Sequence, residues 1–224
     1  MNALKTVPLL AMFALAGCSK DVDPVAELST APADAFLAAI AAHCGKAFAG
    51  TVIADEPANA GSDAFKDKPL VMHVRGCEEP AKEVRIPFHV GDDHSRTWVI
   101  SRTENGLRLK HDHRHADGSP DAVTMYGGDS HPPGTAQRQE FPVDAYSVGM
   151  FRRADMLASV QNTWAMEIEP DERFIYELTR PGGRRFQVSF DLSKPVALPP
   201  PPWGAELPGE KPGEGNGAPA NAAR

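Results

Sequence analysis

Imidazoles, guanidiniums and an indole crowd one short stretch of this chain, His94 to His115, which reads HSRTWVISRTENGLRLKHDHRH. His111, His113 and His115 recur at every second residue, the spacing that puts side chains on one side of a β-strand. Neighbours in such a row have Cα atoms ~7 Å apart, so two imidazoles can reach one zinc ion. The outer two, ~13 Å apart, need a bulge to share it. A further ligand would have to come from Asp92, Asp93, His94 or His131. Arg96 and Arg102 flank Trp98 and offer a different chemistry. Guanidiniums in a low-dielectric pocket favour a carboxylate or phosphate, and an indole favours an apolar body.

These residues need an element that points them one way. Asn105-Gly106 between two alternating runs predicts a hairpin with a two-residue turn. Counting outward, Glu104 then faces Leu107, Arg102 faces Leu109, Ile100 faces His111, Trp98 faces His113 and Arg96 faces His115. The other side pairs Thr103 with Arg108, Ser101 with Lys110, Val99 with Asp112 and Thr97 with Arg114, and is nearly all polar. Alternation with period two therefore turns the arginine, tryptophan and histidine side inward.

The inward set supports three readings. Arg96, Trp98, Arg102, His111, His113, His115 and Tyr126 can line a pocket for a small ligand with an apolar body and an acidic end. The alternative is a metal site on His111, His113, His115 and His94, with zinc or haem as the group held. Arg96 opposite His115 weighs against a cation. The third reading is structural: Arg96 and His115 reach solvent at a barrel mouth, and Trp98 and Tyr126 are core aromatics. No Gly-x-Ser-x-Gly elbow, phosphate-cradling glycine loop or His-Glu-x-x-His is present, so no catalytic residue is assigned and a non-catalytic protein is expected.

The chain opens with Lys5, an apolar run over residues 7–16 too short to span a bilayer, and Leu15-Ala16-Gly17-Cys18. This resembles the lipobox of bacterial lipoproteins. The resemblance implies that residues 1–17 are a signal peptide, that Cys18 is acylated and becomes the N-terminus, and that the membrane is a partner through this lipid anchor. Ser19 after the cysteine favours the outer membrane, with the protein facing the periplasm. Lipidation leaves Cys44 and Cys77, which an oxidising compartment would join as a disulfide; two separate buried thiols are the alternative.

Residues 18–32 are polar and aperiodic, as a tether would be. Residues 33–43 are alanine-rich, with Phe36, Leu37 and Ile40 at helical spacing and Asp34 near the start. Strands are predicted over 47–54, 70–77, 83–90, 95–103, 107–115, 122–127 and 135–141, and after a helical stretch over 142–160 capped by Asp144, over 163–169, 173–180 and 185–192. His73 and His89 fall on the polar side of their strands and are expected in solvent. From residue 195 to 224 the chain is rich in Pro and Gly, the composition of a polyproline-like, disordered tail, from which Trp203 can dock back.

The expected fold is thus mainly β: an antiparallel up-and-down meander of about ten strands over residues 33–194, closing into a barrel. One helix precedes the strands and one precedes the last three. The outline resembles the calycin-like barrels in architecture, without the Gly-x-Trp signature, since Phe48-Ala49-Gly50 stands near the first strand. The net charge of −7 and the lack of a basic run with interleaved aromatics argue against a nucleic-acid partner.

Overall fold

The computed structural model describes residues 31–57, 63–130, 132 and 134–205. The expected signal peptide, Cys18, nearly all of the expected tether, His131 and the chain beyond 205 lie outside the described residues. Ten antiparallel strands form one sheet: β1 (Ala47–Glu56), β2 (Leu70–His73), β3 (Glu83–Val90), β4 (Asp93–Thr103), β5 (Gly106–His113), β6 (Tyr126–Asp129), β7 (Arg138–Pro142), β8 (Thr163–Glu169), β9 (Arg173–Arg180) and β10 (Arg184–Val196). The order β6-β5-β4-β3-β2-β1-β10-β9-β8-β7 is an up-and-down meander whose first and last strands pair, so the sheet curls into a nearly closed barrel.

The remaining seam lies between β6 and β7, and two glycines draw it shut. Gly127 donates its N–H to Ser147 Oγ at 2.8 Å, and Asp144 N–H donates to the Gly127 carbonyl at 2.9 Å. A Cβ on Gly128 would sit 1.7 Å from the Pro142 carbonyl oxygen, so only glycine allows this approach. The helix α2 (Ala145–Arg153) starts at the same seam, with Asp144 accepting from Ser147 N–H as its cap. It ends earlier than the sequence predicts. Asp155 takes a φ of 57° and the chain resumes as the 3₁₀ segment Leu157–Gln161.

Even-numbered residues of β3, β4, β8, β9 and β10 and odd-numbered residues of β5 fill the core. The helix α1 (Ala31–Ala41) closes one end, with Ala33, Phe36, Leu37 and Ile40 all buried in that core. Asp34 of α1 accepts a 2.5 Å bond from Arg102 Nε, at the β4–β5 turn. At the opposite, open end β9 runs into β10 through Arg180 to Arg184, β4 begins at Asp93 and β5 ends at His113.

The hairpin register departs from the sequence expectation by two residues. Thr103 pairs with Gly106, so the loop is Glu104-Asn105; Trp98 faces His111 and Arg96 faces His113. Neither Glu104 nor Asn105 has a positive φ, so the turn is not the type the Asn-Gly pair favours. Arg102, held by Asp34, donates to the carbonyls of both Thr103 and Gly106, and this tertiary contact sets the loop. A shift of two preserves which face is inward. Trp98 is 2% and His111 3% exposed.

The Cys44–Cys77 disulfide is present, with Cα atoms 6.3 Å apart. β10 continues to Val196, beyond the expected start of the tail, and the chain to residue 205 packs back. Trp203 donates its N–H to the His94 carbonyl at 3.0 Å, and their rings meet edge to face.

Candidate functional site at the open end of the barrel

His111 is held on both ring nitrogens. Nδ1 lies 3.2 Å from the Tyr126 carbonyl, which can only accept, so Nδ1 carries the proton; Nε2 then accepts from the Tyr176 hydroxyl at 2.9 Å. The Tyr126 hydroxyl reaches His113 Nε2 at 3.1 Å. Burial lowers His111 to about 3, helped by His113, and burial followed by Arg96 lowers His113 to about 4, so both are neutral at pH 7. Burial raises Tyr126 to about 12 and Tyr176 well above its ordinary value, which keeps both hydroxyls as donors. The network is packed in aromatic faces: Tyr126 stacks on His111 at 4.6 Å and Trp98 on Tyr176 at 4.5 Å.

The structure separates the other sequence candidates. His115 lies beyond β5, exposed and 3.9 Å from Asp121. His94 faces the outside, because a register irregularity between Val90–Asp93 and Phe88–Arg96 turns it toward His89, 2.7 Å away between Nδ1 atoms. The four histidines therefore do not converge, and among the described residues no three His, Cys, Asp or Glu side chains are grouped to hold a metal ion. Arg102 is taken up by Asp34 and the β4–β5 turn. Arg96 stays at the mouth but donates to Asp93 Oδ2 at 2.5 Å. Burial alone would raise Asp93, yet hydrogen bonds from Ser95 and Arg96 hold it at about 2.

His73 and His89 correct the expectation of solvent. They are 8% and 2% exposed, and His89 is covered by His94, on which Trp203 docks. A docked tail was not a property their own strands could signal.

Two connected spaces open beneath the mouth. The smaller, about 70 Å³, is lined by Arg96, Trp98, His111, His113 and Tyr126, with Phe65, Phe88 and Tyr176 among its other walls. The larger, about 210 Å³, shares Phe65, Tyr126 and Tyr176 and adds Phe151, Trp164 and Phe186. No family model, curated protein or solved structure matches the chain.

Among those walls the sequence reading missed Phe65, Tyr176, Arg180 and Arg184. Phe65, on the 3₁₀ turn Asp63–Phe65, stacks on Phe88 and Phe186 and lies under the Arg96 guanidinium, 5.7 Å from its ring centre. It was a lone aromatic in a charged loop, with no period to mark it. Arg180 and Arg184 share the inward parity of their strands, so the signal was there. Arg184 pairs with Asp55 at 2.5 Å. Arg180 donates only to Asn162 Oδ1, at 2.5 Å, and Ser159 Oγ, at 3.5 Å, and has no acidic partner among the described residues. Burial, then the Arg184 charge, lowers its pKa, so its cation gains from any anion brought near.

Proposed function

We propose that the open end of the barrel binds a small ligand with an aromatic or apolar body and one anionic group, without catalysis. The observation that carries this is Arg180 on the wall of a cavity of about 210 Å³ otherwise lined largely by aromatic rings. A half-buried guanidinium with only neutral partners is costly, and a carboxylate or phosphate offsets that cost through a bidentate pair. The volume lies below the range of drug-sized sites, which suits a ligand of about one ring. The Tyr176 and Tyr126 hydroxyls, which donate to His111 and His113, can still each accept a hydrogen bond from a ligand. The same proposal places the barrel in the bacterial envelope, anchored through acylated Cys18 and facing the periplasm from the outer membrane.

Benzoate is a direct probe. It should quench the emission of Trp164, whereas neutral benzamide should not, and Arg180→Gln should weaken benzoate binding by about tenfold. Equal effects of benzamide and benzoate, or no effect of either, would make this end of the barrel a structural core. Native mass spectrometry of the protein taken from its host membrane would identify the natural ligand.

A further inference from the structure

A further cavity lies outside the barrel. It is a trough of about 520 Å³ across the outer face of β3, β4 and β5, and the returning C-terminal segment forms one of its walls. Trp203 is held there by its backbone N–H bond to the His94 carbonyl, and Gly204 packs against Gly118 so closely that a Cβ added to Gly118 would lie 3.1 Å from the Gly204 Cα. The opposite rim includes Arg75 and Glu78, on either side of the disulfide-bonded Cys77, so a covalent link holds that rim in place.

The charges in this trough are only partly matched. Arg114 Nε donates to Asp112 Oδ1 at 3.0 Å, and Arg85 Nε donates to Glu83 Oε1 at 2.9 Å. The Arg75 side chain makes no hydrogen bond or ion pair among the described residues, and Glu78 stands exposed on the rim without pairing it. Donors on Arg75, Arg85 and Arg114 thus line the same trough as the carboxylates of Asp112 and Glu78, together with Trp203. A bare phosphate or sulfate would meet those two carboxylates as like charges. An apolar ligand would leave the Arg75 guanidinium without a partner. Hydroxyl groups both donate and accept, so they satisfy either kind of neighbour.

We propose that the trough binds an anionic sugar, its acid group on Arg75, its hydroxyls on the paired arginines and carboxylates, and one ring face against Trp203. The volume fits one or two sugar rings and falls within the range of small-molecule sites. This site does not depend on the barrel interior, because the trough and the interior cavities lie on opposite faces of the sheet.

Calorimetric titration of the full chain tests it, with glucuronate, glucose phosphate, glucose and inorganic phosphate as probes. Glucuronate or glucose phosphate should bind at least about tenfold more tightly than glucose or inorganic phosphate, and whichever of the two binds better identifies the acid group. Arg75→Gln should bring the anionic sugar down to the level of glucose without loss of folding, since the bonds Arg75 makes with Arg85 are backbone bonds that glutamine keeps. Arg180→Gln should leave this binding unchanged. Binding of glucose or phosphate as tight as that of the anionic sugars would overturn the proposal, as would no binding at millimolar concentrations. Loss of anionic-sugar binding in Arg180→Gln with retention in Arg75→Gln would instead move the sugar into the barrel.

Discussion

His111 has no spare valence: one ring nitrogen gives its proton to the Tyr126 carbonyl and the other takes one from Tyr176. Protonating it breaks the second bond and buries a charge, and the fold resists this by keeping the ring neutral. His89 does the same on the outer face, lowered to about 4 by burial and then by His94. Both pKa values lie below the ordinary histidine value in the unfolded chain, so the unfolded state binds more protons between the two values. Stability is therefore full above about pH 7 and falls as pH drops through 6.5 toward 4, by roughly 3 kcal/mol for each of these two histidines at pH 4. Urea midpoints measured from pH 7.5 to 4 should show this loss; a flat profile would place both rings in solvent. At this scale the sequence showed which side chains turn inward, because alternation is local. It did not show which arginine stays without an acid. Arg96, Arg102 and Arg180 share inward parity, and Asp93 and Asp34 neutralise the first two through contacts that no spacing rule encodes.

Among elements, the hairpin shows how a strong local signal yields to a tertiary one. Asn105-Gly106 favours one loop, the Asp34–Arg102 bridge from α1 favours another, and the bridge prevails. Strands β3, β8 and β9 begin and end where alternation predicts, while β6 starts later, at Tyr126, after Met125 with a φ of 56°. β6 is also where the barrel closes, and glycine content in a strand reads from sequence only as weakness. Its role there is proximity. Gly128→Ala would press a methyl group into the Pro142 carbonyl and should destabilise by roughly 3 kcal/mol or more, as overpacking against backbone does. Gly149→Ala, inside α2 with only the end of Arg153 nearby at 3.4 Å, should be neutral or stabilise by up to about 1 kcal/mol. Thermal melts of the two variants separate these outcomes; equal melting temperatures would mean that the seam is not closed by contact.

For the whole molecule, the meander, the helix before the strands and the helix before the last three were all legible, since each follows from the period of its own segment. The reach of the C-terminal segment was not: its composition describes a chain that buries little, and the docking of Trp203 depends on a surface assembled from β3, β4 and the loop around Gly118. The disulfide closes a separation of 33 residues, a constraint worth roughly 3 to 4 kcal/mol in the chain-entropy account. Cys18→Ser tests the anchor. The variant should move from the membrane fraction to the soluble fraction, because two acyl chains supply an affinity that no helix among the described residues is long and apolar enough to replace. Equal partitioning of variant and wild type would remove the lipoprotein reading. The stopper helix α1 then fixes a compass bearing. It is the first described element of the chain, and it fills the end of the barrel opposite Arg180. If Cys18 carries the proposed anchor, the chain enters the barrel at its sealed base, like a cup held by its foot, and the rim is the end left farther from the point of attachment.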